Sequence, residues 1–338
     1  MSPAVLVRRT FAIAVLSLTF AAFFWAVPRD TNVAPHAPAA NGEARRSDVQ
    51  LFVRTVDDVR KGHAYYDAAG DEMRAGGYPT LSLFNWRQPL MYLALSRVPL
   101  LLAQIWLAVL GAKLLWDTGK TLPSDTFALL PMVNSCLGLL VPVAVYLTEA
   151  WAGVCIGLSL LAYARNRERA GALWGLSALF VRELAAPYCL LAGCLALWRR
   201  RWPEVYVWAG GAACYAVYYG LHVSQVLKHM GPADRAHLHS WVALGGLPFV
   251  AETLRANGLL LLAPRFAVAI VAAALVAAWW NSRLPLHARA TLVLYGTLFL
   301  VVGLPFNGYW GLLIAPTVSL WLAHSWGGLR QMWAPAPI

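Results

Sequence analysis

Residues 28–99 read PRDTNVAPHAPAANGEARRSDVQLFVRTVDDVRKGHAYYDAAGDEMRAGGYPTLSLFNWRQPLMYLALSRVP, a long polar stretch that is rich in aromatic residues. Apolar segments lie on both sides of it along the chain. Connections longer than about 12–15 residues are uncommon unless they carry function or are disordered. We therefore interpret residues 28–88 as a large first external loop with short helices of its own, supported by a scaffold of apolar segments.

The composition of the chain is typical of an integral membrane protein. Of its 338 residues, 59% are hydrophobic and 13% are charged, whereas soluble domains carry about 25% charged residues. Such a deficit of charge does not suit a surface that faces water. The net charge of +11 is explained by basic residues in cytoplasmic loops, so nucleic acid is not expected as a partner.

The hydropathy pattern predicts an all-α polytopic protein, a single membrane domain over residues 1–338 with about ten transmembrane or half-spanning helices. The apolar segments are 11–27, 90–116, 127–147, 150–164, 170–181, 184–198, 205–222, 258–280, 290–304 and 311–326. Residues 223–257 are expected to form a second external loop. Basic residues outside the long first loop lie mostly at the ends assigned to the cytoplasm. Both termini are therefore expected on the cytoplasmic side of a membrane, which we take to be a bacterial plasma membrane.

The first apolar segment, 11–27, is uncharged and has about the minimum length for a span. A cleaved signal peptide is the alternative to a permanent anchor. The segment is long for a signal peptide and ends in WAVPRD (25–30) without a cleavage pattern of small residues. An uncleaved anchor is therefore favoured.

Two short helices are predicted within the first external loop. Ser47 or Asp48 is a suitable cap for a helix that runs to about residue 61, and Gly62 is a suitable stop. A second helix is predicted over residues 65–75, which end at a pair of glycines.

Asp48 is the first candidate for chemistry. A carboxylate close to the membrane surface, within reach of an acceptor hydroxyl, is suited to act as a general base. Capping of the helix that starts here is the alternative role. The nearby Asp57 and Asp58 leave open which acid would be the base.

Glu149 and Arg182 are further candidates at the outer ends of apolar segments. Ionisable groups at that depth are costly and often functional, although an ordinary interfacial glutamate is an equal alternative for Glu149. The planar guanidinium of Arg182 suits a phosphate, and an internal pair with Glu183 or Glu149 is its alternative. Arg87 in FNWRQP and Arg265 in LAPRF are weaker anion-binding candidates.

Aromatic and histidine side chains give weaker signals. A sugar or lipid groove and plain anchoring at the membrane interface are both compatible with the aromatic residues Tyr65, Tyr66, Tyr78, Trp86, Tyr309 and Trp310. The histidines at 229, 237 and 239 lack the further ligands of a metal site. Walker, GxGxxG and GxSxG patterns are absent from the sequence, which disfavours a nucleotide-driven pump and a soluble-type hydrolase.

Four short stretches together resemble the GT-C superfamily of membrane glycosyltransferases, and within it the mannosyltransferase-like proteins that use polyprenol-phosphate mannose. These stretches are SDVQLF (47–52), GHAYY (62–66), TEAWAG (148–153) and FVRELAAPY (180–188). The anchor, the large first external loop and the short paired spans also fit this family. The resemblance covers most of the chain in topology and only these stretches in residues.

The resemblance implies an inverting transfer of a monosaccharide from a polyprenyl-phosphate donor to a hydroxyl of a lipid, glycan or protein acceptor on the outer face. Asp48 would be the general base and Glu149 the second catalytic acid, and Arg182 with Arg87 or Arg265 would neutralise the phosphate. No cofactor is implied, and a role for a divalent cation stays open. A lipid or solute transporter and a catalytically inactive assembly protein are the alternatives. Convergence of Asp48, Glu149 and Arg182 on one outer cavity would favour the transferase.

Overall fold

The computed structural model describes residues 3–27, 47–122, 126–232, 234–236 and 244–333. Within these ranges the chain forms α-helices and short 3-10 helices and no strand, which confirms the all-helical class predicted from the sequence. The α-helices are α1 (Pro3–Ala26), α2 (Asp48–Arg60), α3 (Tyr65–Ala75), α4 (Pro89–Arg97), α5 (Leu100–Thr121), α6 (Leu130–Leu139), α7 (Thr148–Ala164), α8 (Glu168–Val181), α9 (Ala186–Trp198), α10 (Trp202–His229), α11 (Gly246–Arg255), α12 (Arg265–Ala278), α13 (Leu286–Val301) and α14 (Ala315–Trp333). The 3-10 helices are Leu83–Asn85, Thr126–Leu129, Pro142–Tyr146, Glu183–Ala185, Gly258–Leu262 and Pro305–Leu313.

Two helices of the described chain are long and apolar enough to cross a membrane. They comprise Arg9–Ala26 in α1 and Leu100–Thr121, which is all of α5. A third candidate is a bent pair, Asn307–Leu313 with Ala315–Trp333, whose two parts meet at 62°. Several other apolar helices are shorter than eighteen residues. Length and composition therefore indicate that the protein is associated with a membrane.

Helix α7 is the centre of the fold. Every residue from Thr148 to Tyr163 is buried, and the helix packs against α5, α8, α14 and the 3-10 helix Pro305–Leu313. A helix that is apolar on all sides is expected in such a position. Its 17 residues span only about 26 Å, less than the roughly 30 Å of a bilayer core. Its first turn, which carries Glu149, is buried like the rest of the helix.

The two helices predicted in the first external loop are both confirmed. The Ser47 side chain caps α2 by accepting a hydrogen bond from the backbone amide of Gln50 at 3.4 Å. Gly62 follows α2 with φ of +101°, a conformation that favours glycine. Helix α3 has the predicted bounds, Tyr65–Ala75. Residues 28–46 of the predicted loop lie outside the described residues.

Proline residues divide three of the segments that the sequence predicts as continuous. Segment 90–116 is split into α4 and α5 at Pro99, because the residue before a proline avoids the helical region and Val98 is extended (φ −111°, ψ 137°). Pro142 and Pro264 accompany similar breaks in segments 127–147 and 258–280. The boundaries predicted for these segments were therefore wrong.

The predicted second external loop, 223–257, is partly helical. Helix α10 continues through His229, and α11 lies entirely within the segment. Arg74 at the end of α3 donates to Asp234 Oδ1 at 2.9 Å and to the carbonyl of His229 at 2.5 Å, which fastens the two external segments together. The hydrogen bond from Arg74 lowers the pKa of Asp234 to about 2. His237 and His239 lie outside the described residues.

Candidate active site

The carboxylate of Asp48 is held between two tyrosine hydroxyls. Tyr78 donates to Oδ1 and Tyr309 donates to Oδ2, both at 2.9 Å. Asp48 is the first residue of α2, where the positive end of the helix dipole favours a negative charge. Because Ser47 supplies the capping side chain, the Asp48 carboxylate is used for these longer-range contacts instead. The side chain is half-buried and therefore reachable from outside.

Arg87 connects Asp48 to the buried interior. Its Nη2 donates to the hydroxyl of Tyr309 at 2.8 Å and lies 3.7 Å from Glu149 Oε1. Its guanidinium also lies over the ring of Phe52 in α2, 5.2 Å from the ring centroid. Arg87 thus faces the tyrosine on one side and the first turn of α7 on the other.

Glu149 and Arg182 form a buried ion pair. Arg182 Nε lies 2.9 Å from Glu149 Oε1, and the two side chains are 2% and 0% exposed, respectively. Arg182 also contacts Glu183 Oε1 at very short range. The internal pairing that the sequence left open as the alternative for Arg182 is therefore present, and with both glutamates. We call Asp48, Arg87, Glu149, Arg182 and Glu183 the charged cluster.

Gln88 is hydrogen-bonded to the charged cluster at Glu183. Its Nε2 donates to Glu183 Oε2 at 3.1 Å and to the hydroxyl of Tyr215 in α10 at 2.7 Å. The cluster thus draws on residues next to α2, α4, α7 and α8, most of them at or just beyond a helix end. Three of its side chains are acidic and two are basic.

An apolar cavity of about 390 Å³ meets the charged cluster at Arg182 and Glu183, whereas Asp48 and Glu149 are not among its lining residues. Arg182, Glu183 and Tyr215 provide its polar wall. Its remaining wall is formed by apolar and aromatic residues: Phe84, Leu184, Ala186, Pro187, Tyr219, Val302 and Trp310. This volume falls within the range of about 300–1,000 Å³ found for small-molecule sites. The cavity therefore suits a molecule that is apolar along most of its length and charged at one end.

Three of the aromatic residues predicted as groove-lining, Tyr65, Tyr66 and Trp86, instead support the Arg87 segment from within, whereas Trp310 does line the cavity. The Tyr65 hydroxyl donates to the carbonyl of Arg87 at 2.6 Å. The Trp86 indole, which is 1% exposed, donates to the carbonyl of Thr80. Tyr66 is hydrogen-bonded to His222, which in turn contacts the carbonyl of Trp86. Burial raises the pKa of Tyr65 and of Tyr66, so both phenols stay protonated at neutral pH.

Three other candidates lie apart from the charged cluster. The Arg265 guanidinium stacks over Phe24 of α1, 4.9 Å from the ring centroid. Asp57 and Asp58 form ion pairs along α2 with Arg60 and Lys61, respectively. Among Asp48, Asp57 and Asp58, Asp48 is thus the one that joins the cluster.

The described residues hold no group of three His, Cys, Asp or Glu side chains that is arranged to bind a metal ion. His229 lies 3.2 Å from Asp67 and pairs with it across α10 and α3.

Comparison with known proteins gives no match: no family model, no curated protein and no solved structure is similar to this chain. The function is therefore argued from the charged cluster and its adjoining cavity, because sites carry function more directly than folds do.

Sequence reasoning missed three residues of the site or gave them no role. Tyr78 was grouped with the aromatic residues, although it binds Asp48. Gln88 and Tyr215 were not singled out. The available signal for Gln88 is its position before Pro89, since proline is common at the first position of a helix and Gln88 is therefore expected at a helix start.

Proposed function

We propose that this chain is a multi-pass membrane glycosyltransferase of the GT-C type. It moves a monosaccharide from a polyprenyl-phosphate donor to an acceptor hydroxyl, with inversion at the anomeric carbon. The observation that carries the proposal is the connection of Asp48 to the Glu149–Arg182 pair through Tyr309 and Arg87, beside an apolar cavity.

The cavity and the charged cluster suit the two parts of such a donor. The prenyl chain occupies the apolar wall, and the phosphate lies at the end formed by Arg182 and Glu183. Because Arg182 is already paired with two carboxylates, the phosphate replaces one of them. Glu183 is the one that yields, since it lines the cavity and is 15% exposed, whereas Glu149 is fully buried.

Asp48 performs the proton transfer in this proposal. Its carboxylate takes the proton of the acceptor hydroxyl while that oxygen attacks the anomeric carbon of the sugar. The bond between that carbon and the phosphate oxygen breaks from the opposite face, and the polyprenyl phosphate leaves with the electron pair. The two tyrosine hydroxyls keep the carboxylate oriented.

The proposed topology is the one that the hydropathy pattern predicts. About ten segments cross or enter a bacterial plasma membrane, with both termini in the cytoplasm and the charged cluster on the outer side. Helices as short as α8 and α9 lie within the bundle as half-spans, or the bilayer thins around them.

One observation favours the catalytically inactive assembly protein as a second candidate. Arg182 is paired with both Glu149 and Glu183 and so joins α7 to α8, as in a purely structural network. A lipid or solute transporter stays the third possibility.

A transfer assay tests the proposal. Membranes that contain the chain and membranes that lack it are incubated with radiolabelled polyprenyl-phosphate sugars, with mannose first, and the labelled products are separated. We expect the label to appear in a new product, in which the transferred sugar has the anomeric configuration opposite to that of the donor. Donor that binds to the chain without any transfer across the whole panel would favour the transporter or the assembly protein.

A further inference from the structure

A second apolar cavity, also about 390 Å³, shares no lining residue with the first. It is bounded by α1, α11, α12, α13 and α14, and we call it the α1 groove. Phe23 of α1, Trp279 directly after α12 and Gly296 of α13 are among its lining residues, and none of the described residues that line it is charged. Val293 and Trp279 at its edge are both about half exposed (49% and 48%), so the groove opens at the surface.

The surface around the α1 groove is one that a bilayer would cover. Helix α1 is one of the two described helices long and apolar enough to span a membrane, and only 6% of that span is buried. It packs mainly against α12 and leaves the space beside α13 open. Lipid chains are therefore the apolar material nearest to this opening.

The guanidinium of Arg289 lies beside the α1 groove. Arg289 lies one helical turn before Val293 on α13, and thus on the same helix face. It lies over the ring of the groove residue Trp279, 5.8 Å from the centroid. One of its Nη atoms binds the carbonyl of Asn281, while its buried Nε has no hydrogen-bond partner in the described part of the chain. The guanidinium therefore keeps a hydrogen-bonding capacity that the described residues do not satisfy, and it lies beside the groove residue Trp279.

We propose that the α1 groove binds one acyl chain of an anionic phospholipid from the surrounding bilayer, with the lipid phosphate at Arg289. Arginine suits phosphate oxygens because its planar fork donates two hydrogen bonds. Basic pockets between membrane helices are a recurrent kind of site for anionic headgroups. This site is separate from the charged cluster and does not depend on the proposed transfer reaction.

Gly296 allows the groove to be filled without disturbing the protein. A Cβ added at Gly296 meets no atom within 4 Å, so the side chain of Gly296→Leu enters the space of the acyl chain. Gly210→Leu on α10 is the matched control, since Gly210 is equally open and lies outside the groove. Native mass spectrometry of the detergent-purified chain, with phosphatidylglycerol or phosphatidylcholine of identical chains added back, measures the bound lipid.

The parent is expected to retain one phosphatidylglycerol and to prefer it over phosphatidylcholine about fivefold, since one arginine contributes about 1 kcal/mol near a lipid headgroup. Gly296→Leu is expected to lower retention about tenfold by excluding roughly two methylene groups, and Gly210→Leu is expected to leave it unchanged. Arg289→Gln removes the preference between the two lipids, whereas Arg283→Gln, at an exposed arginine nearby, preserves it.

Three results would overturn the proposal: equal retention by Gly296→Leu and Gly210→Leu, equal binding of the two lipids by the parent, or a parent dimer that Gly296→Leu converts to monomer. The last result would identify a second copy of the chain as the occupant. Val293→Trp, at the exposed mouth of the groove, repeats the test if Gly296→Leu does not fold.

Discussion

The hydroxyl of Tyr309 donates to Asp48 Oδ2 at 2.9 Å, although 261 positions of sequence separate the two residues. Asp48 begins the first helix of the external loop, and Tyr309 belongs to the 3-10 helix that precedes α14. The same hydroxyl accepts a hydrogen bond from Arg87. This one contact therefore joins the proposed base to the buried part of the charged cluster and fixes the position of α2 on the bundle.

The first prediction concerns the Tyr309 hydroxyl. Tyr309→Phe is expected to lower the free energy of unfolding by about 1.5–3 kcal/mol, as is typical for a hydrogen bond to a charged group, and to slow transfer. Denaturant unfolding in detergent measures the first effect. The control is Tyr206→Phe. Tyr206 is 70% exposed, so the loss of its hydroxyl should leave the free energy of unfolding nearly unchanged. Equal stability of the two variants would contradict the role given to Tyr309.

The second prediction concerns the buried pair of Arg182 and Glu149. Arg182→Gln is expected to cost about 3–5 kcal/mol, because it removes the nearer basic partner of the fully buried Glu149 and leaves only Arg87, 3.7 Å away. Adding Glu149→Gln should recover part of that loss. The double variant should therefore lose less free energy of unfolding than the two single variants lose together.

The control for this pair is Glu168→Gln, because its partner Arg201 also lies 4.0 Å from the buried Glu204 and is the less suitable residue to change. Arg201 and Glu168 are 2.8 Å apart, but both are about one third exposed, so removal of this pair should cost only about 0.2–1 kcal/mol. Additive losses in the Arg182 and Glu149 variants would show that the two side chains are not energetically coupled.

The third prediction concerns the close packing of α7 on the segment that carries Tyr309. A Cβ at Gly153 would lie 2.2 Å from the carbonyl oxygen of Leu312, so Gly153→Ala is expected to cost about 1–3 kcal/mol or more. Gly220→Ala, where a Cβ meets nothing within 4 Å, should instead be neutral or stabilise α10 by about 0.5–1 kcal/mol. Thermal unfolding of both variants provides the measurement, and similar midpoints would refute the close contact.

The fourth prediction concerns pH. Arg74 lowers the pKa of Asp234 to about 2, below the ordinary value of about 3.9. Ionised Asp234 therefore stabilises the protein above about pH 4, and that contribution is lost as the pH falls toward 2. The difference in melting temperature between the parent and Asp234→Asn should shrink over this interval. A difference that is constant from pH 6 to pH 2 would argue against the ion pair.

Local sequence rules predicted the external helices well. The cap at Ser47, the stop at Gly62 and the bounds of α3 depend on neighbouring residues alone, so the sequence contains the required information. Helix boundaries within the long apolar segments are harder to predict, because hydropathy does not reveal where a proline divides a segment into two helices. The break between α4 and α5 is such a case, since a proline within a membrane helix is often tolerated as a kink.

The charged cluster was predictable in its residue types and not in its pairing. Glu149 and Arg182 are conspicuous as ionisable residues at the ends of apolar segments, and Asp48 is conspicuous as the acid that opens the first predicted helix of the external loop. The contacts of Gln88 with Glu183 and Tyr215 cross 95 and 127 positions of sequence, and a single sequence has no signal for them. Arg265 shows the opposite case, because a basic residue beside a proline resembled an anion site and instead contacts an aromatic ring of α1.

The most direct test of the central claim compares Asp48→Asn with Asp57→Asn in the membrane transfer assay. Both changes remove one carboxylate from α2, but only Asp48 belongs to the charged cluster. The account predicts that Asp48→Asn lowers the rate of sugar transfer about 10²–10⁴-fold, as is typical for loss of a general base, while Asp57→Asn retains the parent rate. Transfer by Asp48→Asn at the parent rate would contradict the account.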